Sequence, residues 1–242
     1  MWNSAGMLGP LPHASCPDPE ELAARLGHLP TDALLARLAD EFRGRIALTS
    51  SFGAEAAVLL HLVARVDPAM PVLFLDTGML FPETLAHRSR LVRQLGLTDV
   101  RNLHPNPEEL AGEDPEGFLW AEAPDACCAL RKARPLRRAL EGFSIWITGR
   151  KRFQAATRAG LPLFEAQDGR VKVNPLAAWS AAEIEAYRQA HDLPAHPLVA
   201  RGYASIGCLP CTTRVQPGED PRAGRWRGRS KLECGIHRPA PV

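Results

Sequence analysis

The stretch Arg-Ile-Ala-Leu-Thr-Ser-Ser-Phe-Gly-Ala-Glu, residues 45–55, decides the fold of this chain. Residues 45–49 predict a short buried strand, residues 50–55 a turn of small residues, and the apolar residues 56–66 a helix. A strand, a small-residue loop and a helix N-terminus together present unpaired backbone N–H groups at the positive end of a helix dipole, which suits a phosphate group. An ordinary strand-to-helix connection is the alternative, because a loop with one glycine is a weak signal.

Three further apolar runs extend this pattern along the chain. Residues 71–75 predict a second strand that stops at Asp76, and residues 100–104 and 145–149 predict a third and a fourth strand. Apolar runs separated by helices indicate parallel strands that are covered on both faces. The expected fold class is therefore α/β, a doubly wound, mostly parallel sheet. Asp76 would lie at the carboxyl end of a strand, where ligands bind in such sheets.

The segments around this sheet divide the chain into three parts. Residues 1–30 are rich in proline and alanine and are expected to be irregular or weakly helical. Residues 31–215 form the expected α/β domain, which begins with a helix capped by Thr31 and ends with a helix opened by the capping box of Ser180 and Glu183. Residues 216–242 show little periodicity and are expected to form a mobile C-terminal tail.

Composition restricts the function classes. The 242 residues are enough for one large α/β domain, and 45% hydrophobic and 23% charged residues are ordinary for a globular protein. A net charge of +2 is too small to argue for nucleic acid as a bulk partner. Neither a secretory signal nor an apolar run of about 18–20 residues is readable, so the expected location is the cytoplasm. In that reducing compartment, six cysteines are more often free, metal-bound or catalytic than disulfide-bonded.

Four of the cysteines form two close pairs. Cys127 and Cys128 are adjacent, and Cys208 and Cys211 form a C-x-x-C pair. Four thiolates suit either Zn²⁺ or an iron–sulfur cluster, although adjacent cysteines are awkward for a zinc knuckle. A thiol–disulfide pair and unligated buried thiols remain open on spacing alone.

A fifth cysteine, Cys234, has a different setting. It follows a segment rich in arginine and precedes His237 by three residues. Positive neighbours lower the pKa of a thiol and favour the nucleophilic thiolate, and a mobile tail would let the sulfur enter and leave a site. The alternative is an exposed tail cysteine without a role. The sixth cysteine, Cys16, has no nearby thiol and is expected to be a bystander.

Taken together, these motifs closely resemble those of an assimilatory sulfonucleotide reductase, and more narrowly the bacterial adenylyl-sulfate (APS) reductase branch with an iron–sulfur cluster. The resemblance covers residues 45–237. It rests on residues 50–55, 75–78, 127–132, 148–154, 172–176, 196–198, 202–212 and 233–237.

The resemblance implies a fold and a reaction. The fold would be adenine nucleotide α-hydrolase-like, with a modified PP-loop. Cys234 would attack the sulfur of APS, expel AMP and carry a thiosulfonate. Thioredoxin, or a glutaredoxin-like reductant, would then release sulfite, as part of sulfate assimilation and cysteine biosynthesis. The resemblance further implies a homo-oligomer, a tetramer or dimer, without a nucleic-acid or membrane partner.

Residue roles carry over position by position. The resemblance assigns a [4Fe-4S] cluster to Cys127, Cys128, Cys208 and Cys211, and the nucleophile and its helper to Cys234 and His237. It assigns substrate binding to Ser50, Ser51, Phe52, Gly53, Glu55, Leu75, Asp76, Arg131, Lys132, Gly149, Arg158, Arg222 and Arg225. Within that set, Leu75 and Gly149 would hold adenosine. The basic side chains would surround the phosphate–sulfate, with Lys132 linking it to the cluster.

This chain departs from the family pattern at two places. Family members often have a Ser-Pro-Gly-like stretch where this chain has residues 154–158, which bears on the role of Arg158. Glu55 and Ala56 replace the Asp-Ser of ATP-cleaving PP-loops, which argues against an ATP-dependent thiolation enzyme.

Two rival functions remain. Reduction of 3′-phosphoadenylyl sulfate (PAPS) would need further cations, for which Arg150, Lys151 and Arg152 are candidates. A zinc-stapled nucleic-acid-binding module would use the four thiols and the basic residues 222–231.

Overall fold

A computed structural model describes residues 17–237 and shows a six-stranded mixed sheet flanked by helices. Cys16 lies outside the described residues. The strands are β1 (Ile46–Ser50), β2 (Val72–Leu75), β3 (Val100–Leu103), β4 (Ile145–Thr148), β5 (Phe164–Gln167) and β6 (Arg170–Val173). Their order is β3-β2-β1-β4-β6-β5, and only the hairpin of β5 and β6 is antiparallel among these strands.

Helices connect the strands and cover the sheet. They are α1 (Pro19–Leu26), α2 (Thr31–Glu41), α3 (Ala56–Val66), α4 (Pro82–Leu95), α5 (Pro107–Glu113), α6 (Leu119–Glu122), α7 (Pro124–Cys128), α8 (Arg134–Ala139) and α9 (Ala181–Ala190). A π-helical turn, Ala129–Ala133, lies between α7 and α8. No helix within residues 17–237 is long and apolar enough to cross a bilayer.

The period-two alternation of the strands divides the core into two layers. Ile46 and Leu48 of β1 face the larger layer, which is filled by side chains of α1, α2, α3, α4 and α9. The intervening Ala47 faces a smaller layer with Trp146 of β4 and Leu136 of α8. Because both faces are covered, the central strands are almost wholly apolar. The doubly wound α/β class predicted from the sequence is confirmed.

The strand order creates a cleft at one edge of the sheet. The chain leaves β1 toward β2 on one side, while β4 pairs with β1 on the other side. Connections that depart in opposite directions leave a crevice at the carboxyl ends of the two strands. The loop after β1 and the turn after β4 therefore border the same crevice.

Helix α1 differs from the sequence expectation for the first thirty residues. Pro19 opens this helix, and the Asp18 side chain accepts a hydrogen bond from the Glu20 backbone. Leu22 and Leu26 are only 1% and 4% exposed and belong to the larger core layer. Residues 19–26 are thus a packed helix, because two leucines four positions apart form an apolar stripe that the core can bury.

The two predicted helix caps have different outcomes. Thr31 is the first residue of α2 and not its cap; its hydroxyl accepts a hydrogen bond from the Trp179 indole at 3.1 Å. The capping box is confirmed, with the Ser180 hydroxyl accepting from the Glu183 backbone at 3.2 Å and Glu183 accepting in return from the Ser180 backbone.

Candidate active site

A cavity of about 560 Å³ opens at the carboxyl ends of β1 and β4. Its wall combines the loop after β1, the turn after β4, the turn that carries Cys208, and the C-terminal segment. It brings together thirteen predicted site residues: Ser50, Ser51, Gly53, Glu55, Leu75, Lys132, Gly149, Arg158, Cys208, Arg222, Arg225, Cys234 and His237.

The loop after β1 is anchored by Phe52. Its ring is fully buried and meets Phe74 edge-on at 5.3 Å, although its backbone has a φ of +49°, a conformation that is costly for a residue with a side chain. The Ser50 hydroxyl accepts from the Phe52 backbone at 3.2 Å. Phe52 was predicted to bind substrate, but the structure places its side chain in the core. The anchored ring instead fixes the course of Ser51 and Gly53 along the cavity.

A polar network joins this loop to the turn after β4. The Glu55 carboxylate accepts hydrogen bonds from Lys151 Nζ at 2.8 Å and from Gln154 Nε2 at 2.6 Å. Arg158 in turn donates to Gln154 Oε1 at 2.6 Å. Burial lowers the pKa of Lys151, and the neighbouring Glu55 carboxylate opposes that shift. The network fixes two cavity walls relative to each other.

The four paired cysteines lie beside the cavity on two elements. Cys127 and Cys128 end α7, and Cys208 and Cys211 bound a tight turn. Three of the four are buried, and the Cys208 sulfur lies 3.3 Å from the Thr77 hydroxyl. Cys127 is close enough to the other three thiols for their charges to reinforce the effect of burial, which raises the pKa of Cys127 to about 11. A group of four neighbouring thiols, three of them buried, is a donor set that fits a metal cluster.

Cations lie next to these thiols. Burial alone would raise the pKa of Cys208, but Lys132, the Thr77 hydroxyl and Arg225 together bring it below its usual value. Lys132 also interacts with the thiols of Cys128 and Cys234. Within the described residues, no three His, Cys, Asp or Glu side chains are positioned to hold a single metal ion.

The π-helical turn Ala129–Ala133 separates two basic residues that are adjacent in sequence. Arg131 is buried, where it donates to Asp114 Oδ2 at 2.5 Å and to the Thr77 carbonyl at 3.0 Å. Lys132 lines the cavity. Arg131 was predicted to bind the substrate's anion, but its ion pair with Asp114 holds it away from the cavity wall. Adjacent positions on a helix point in different directions, so Arg131 belongs to the scaffold and Lys132 to the site.

Asp76 is also outside the cavity wall. Its carboxylate accepts a hydrogen bond from the Gly78 backbone at 3.1 Å and so stabilises the turn after β2. Gly78 has a φ of +71°, which favours glycine. Asp76 was predicted to bind substrate, whereas its observed contact is structural.

The C-terminal segment enters the cavity and is held on both sides of Cys234. Before it, Glu233 pairs with Arg158 and Arg222. After it, the His237 ring stacks on Trp146 with centroids 5.5 Å apart and an interplanar angle of 17°. Burial and the surrounding cations, led by Arg150, hold the pKa of His237 well below its usual value. His237 is therefore neutral, and its buried Nδ1 has no hydrogen-bond partner among the described residues.

Comparison with known proteins identifies the family. Residues 45–214 match the model of the phosphoadenosine phosphosulfate reductase domain. The chain belongs to that family. It is 52% identical to the adenosine 5′-phosphosulfate reductase of Chelativorans sp. (strain BNC1), covering 90% of both chains, and 52% identical to that of Mesorhizobium japonicum, covering 89% and 85%. The resemblance to the sulfonucleotide reductases, and to their adenylyl-sulfate reductase branch, is thereby confirmed.

Solved structures agree with this family. Phosphoadenylyl-sulfate (PAPS) reductase from Candida auris, in a phosphate complex, is 27% identical with a TM-score of 0.68, over 81% of this chain and 96% of that one. Candida glabrata FMN adenylyltransferase, at 13% identity and a TM-score of 0.56 over 92% of this chain and 77% of that one, shares the fold alone.

Sequence reasoning missed several site features of this reductase-family chain. Glu233 had no predicted role, although a lone carboxylate in an arginine-rich segment is a signal for an ion pair. The local sequence contained no signal for three other features: the contact of Thr77 with Cys208, the network around Gln154, and the π-helical turn. Each joins residues that are distant in sequence or depends on backbone geometry.

Proposed function

We propose that this chain reduces adenylyl sulfate to sulfite and AMP, with Cys234 as the nucleophile and a thioredoxin-like dithiol protein as the reductant. The main support for this proposal is the position of Cys234 in a cation-lined cavity at the carboxyl ends of β1 and β4. Relatives at 52% identity bear the name of that activity, which supports the proposal.

The cavity offers distinct surroundings to the two ends of this substrate. Leu75, Gly149 and the loop after β1 provide apolar and backbone groups for adenosine. Lys132 and Arg225 provide positive charge near Cys208 and Cys234 for the phosphate–sulfate. The anion would then lie between the nucleophile and the thiol cluster.

The basic residues after β4 favour APS over PAPS. Arg150 pairs with Glu165, Lys151 with Glu55 at 2.8 Å, and Arg152 donates to the Leu161 carbonyl at 3.0 Å. These were the candidates for binding a 3′-phosphate, and each has a partner within the protein. A second phosphate would have to break one of these contacts.

The chemistry balances as three successive displacements at sulfur. The Cys234 thiolate bonds to the sulfate sulfur, and the bond from that sulfur to the bridging oxygen breaks, so AMP leaves with the electron pair. A thiolate of the reductant then attacks Cys234 Sγ and releases sulfite. The second thiol of the reductant resolves the mixed disulfide, which regenerates Cys234 and gives oxidised reductant after transfer of two electrons.

His237 supports the first displacement. Burial and the neighbouring cations hold its pKa well below its usual value, so the imidazole stays neutral and its contribution is to position the segment that carries Cys234. Its stacking on Trp146 fixes the end of the segment that carries the nucleophile.

Cys127, Cys128, Cys208 and Cys211 would hold a [4Fe-4S] cluster, whose four thiolates stand farther apart than the ligands of one ion. When bound, the cluster supplies electrostatic charge beside the anion and not electrons. Lys132, between these thiols and the cavity, would balance that charge.

Wider assignments follow from the same chemistry. A dithiol reductant needs a reducing compartment, so we place the reaction in the cytoplasm, in sulfate assimilation and cysteine biosynthesis. Within the basic segment 222–231, Arg227 pairs with Glu219 and Lys231 with Asp125, which leaves fewer free cations for a nucleic-acid partner. The homo-oligomer implied by the resemblance stays a prediction.

The test is anaerobic purification followed by a visible spectrum, an iron assay, and reductant-coupled sulfite release with APS and PAPS in parallel. We expect a brown protein with about four irons per chain, strong preference for APS, and no sulfite from Cys234→Ser. Cys16→Ser is the matched control and should retain activity. A colourless protein inert toward both nucleotides contradicts the proposal, and equal use of PAPS contradicts its specificity.

A further inference from the structure

The Glu233 carboxylate lies in a clamp of two arginines at the mouth of the candidate active site. Arg158 donates from Nε and Nη2 to the two carboxylate oxygens, each at 2.8 Å. Arg222 Nη2 donates to Oε2 at 3.0 Å and to the Leu232 carbonyl at 2.7 Å. The exposed fraction of the side chain is only 11% for Arg158, 16% for Arg222 and 22% for Glu233. Paired forks of this kind are the strong form of an ion pair.

The positive charges of the clamp favour a bound anion. Burial raises the pKa of Glu233, but the hydrogen bond and charge of Arg158, followed by Arg222, more than offset this and leave its pKa below the usual value. Burial and the repulsion from Arg158 lower the pKa of the adjacent Arg150 to about 10. Without the carboxylate, three guanidinium groups would face one another in a partly closed space.

The same arginines line the cavity. Arg158 and Arg222 both contribute to its wall beside Cys234. A guanidinium edge that is filled by a carboxylate cannot simultaneously hold the oxygens of a phosphate or sulfate. The tail and an anionic ligand therefore share one binding group.

Beyond Cys234, the tail has a second attachment without an ion pair. The Ile236 carbonyl accepts a hydrogen bond from Gln167 Nε2 at 3.4 Å, and the His237 ring stacks on Trp146. Ile236 also packs against the smaller core layer. This attachment does not depend on Glu233, so the end of the segment can stay docked while the part around Cys234 becomes freer when the carboxylate moves.

We propose that Glu233 is an internal anion that holds the tail closed by occupying Arg158 and Arg222, and that the anionic end of the substrate displaces it. This rests on the proposed function for the identity of the substrate. Glu233 is a positioning residue: it fixes Cys234 in the empty site and gives up its arginines when substrate arrives. The free site is thus neutralised by the protein's own carboxylate.

Binding of APS in a background that cannot react tests the exchange. Titration calorimetry compares Cys234→Ser with the double variant Glu233→Gln and Cys234→Ser. Loss of the internal competitor should lower the dissociation constant for APS roughly tenfold, a change of about 1.4 kcal/mol. Glu219→Gln in the same background is the matched control, because Glu219 pairs with Arg227 on the same segment, and it should leave the constant unchanged. Equal or weaker binding in the Glu233→Gln variant overturns the proposal.

A second readout follows the tail directly and needs no nucleotide. Alkylation of Cys234 by N-ethylmaleimide, measured on the tail peptide by mass spectrometry, should be faster in Glu233→Gln than in the parent chain. Added salt should accelerate it in the parent and not in Glu233→Gln, because salt weakens an ion pair. Identical alkylation rates in both proteins at all salt concentrations contradict the proposal that Glu233 holds the tail closed. If Cys234→Ser binds no APS at all, the proposed function fails instead. The alkylation result still decides whether Glu233 holds the tail closed.

Discussion

Gly207 lies directly against the guanidinium group of Arg225. A methyl group added at Gly207 would come closer than 3.0 Å to the central carbon and both terminal nitrogens of that group. The Arg225 guanidinium also lies 4.5 Å from the centroid of the Trp226 ring. The arginine therefore contacts both a glycine and an indole, and the absence of a side chain at Gly207 makes room for it.

Gly207→Ala should displace Arg225 and weaken substrate binding more than folding. The added methyl group pushes away the end of a flexible side chain and not backbone, so the fold can accommodate it. Loss of one charge-assisted contact of about 1.5–3 kcal/mol predicts a KM for APS raised roughly tenfold or more.

Steady-state kinetics of sulfite release and a thermal melt check this together. Gly112→Ala is the matched control, because nothing lies within 4 Å of a methyl group at Gly112. An unchanged KM for Gly207→Ala would show that Arg225 does not bind substrate.

Because of Lys172, the free energy of unfolding should rise with pH above about pH 7. Burial and the repulsion from Arg150 lower the pKa of this fully buried lysine to about 7, with Asp168 opposing the shift. Between that value and the ordinary 10.5, the unfolded chain binds the proton and the folded chain does not, so the free energy of unfolding rises with pH. The cost of the buried charge is fully present below about pH 7.

Lys172→Met should remove that rise and be more stable than the parent at pH 7, because methionine carries no charge to bury. Urea denaturation of both proteins at a series of pH values measures the difference. Parallel curves over this range would contradict the assigned cause.

His196 should contribute to acid sensitivity. It is buried beside His87 with ring centroids 4.8 Å apart, contacts the Thr84 hydroxyl at 3.1 Å through Nε2, and accepts from the Leu198 backbone through Nδ1. Burial lowers the pKa of His196 to about 4. Below the ordinary value of 6.5 the unfolded chain gains protons first, so stability falls between pH 6.5 and about 4, by about 3 kcal/mol in total.

His196→Gln keeps an amide donor for Thr84 but cannot titrate, so its free energy of unfolding should fall less steeply with acid. The exposed His28 provides the control, since His28→Gln should keep the parent's slope. An unaltered slope in His196→Gln would count against the buried imidazole as a source of acid sensitivity.

Cys208→Ser should lose bound iron and visible absorption. Its sulfur is buried between Thr77 and the other thiols, and a hydroxyl is a poor ligand for an iron–sulfur cluster. The measurement is iron per chain after anaerobic purification, with Cys16→Ser as a control that should keep its iron. Full iron content in Cys208→Ser would remove Cys208 from the ligand set.

Much of the fold was predictable because its signals are local. The strand, loop and helix at residues 45–66 follow from one apolar run, one turn and one amphipathic pattern, and the capping box at Ser180 needs only two residues. Helix α1 was underestimated because its stability comes from burial of Leu22 and Leu26 against distant elements. Such tertiary stabilisation leaves only a weak mark on the local sequence.

The site was predictable by residue type but not by contact. Charge marked Arg131 and Lys132 alike, yet Arg131 pairs with Asp114 and Lys132 lines the cavity. The basic residues 150–152 were candidates for a second phosphate, and their partners are carboxylates and a carbonyl brought close by the fold.

The sequence by itself determined the α/β class, the family, the pairing of four cysteines and the isolation of Cys234 in a basic tail, because these depend on residue identity and spacing. Only the tertiary structure decided which cations are available to a ligand, since availability depends on every carboxylate within reach. Glu233 is the clearest case: 75 residues separate it from Arg158. Only the folded chain brings that carboxylate into the arginine clamp beside the nucleophile.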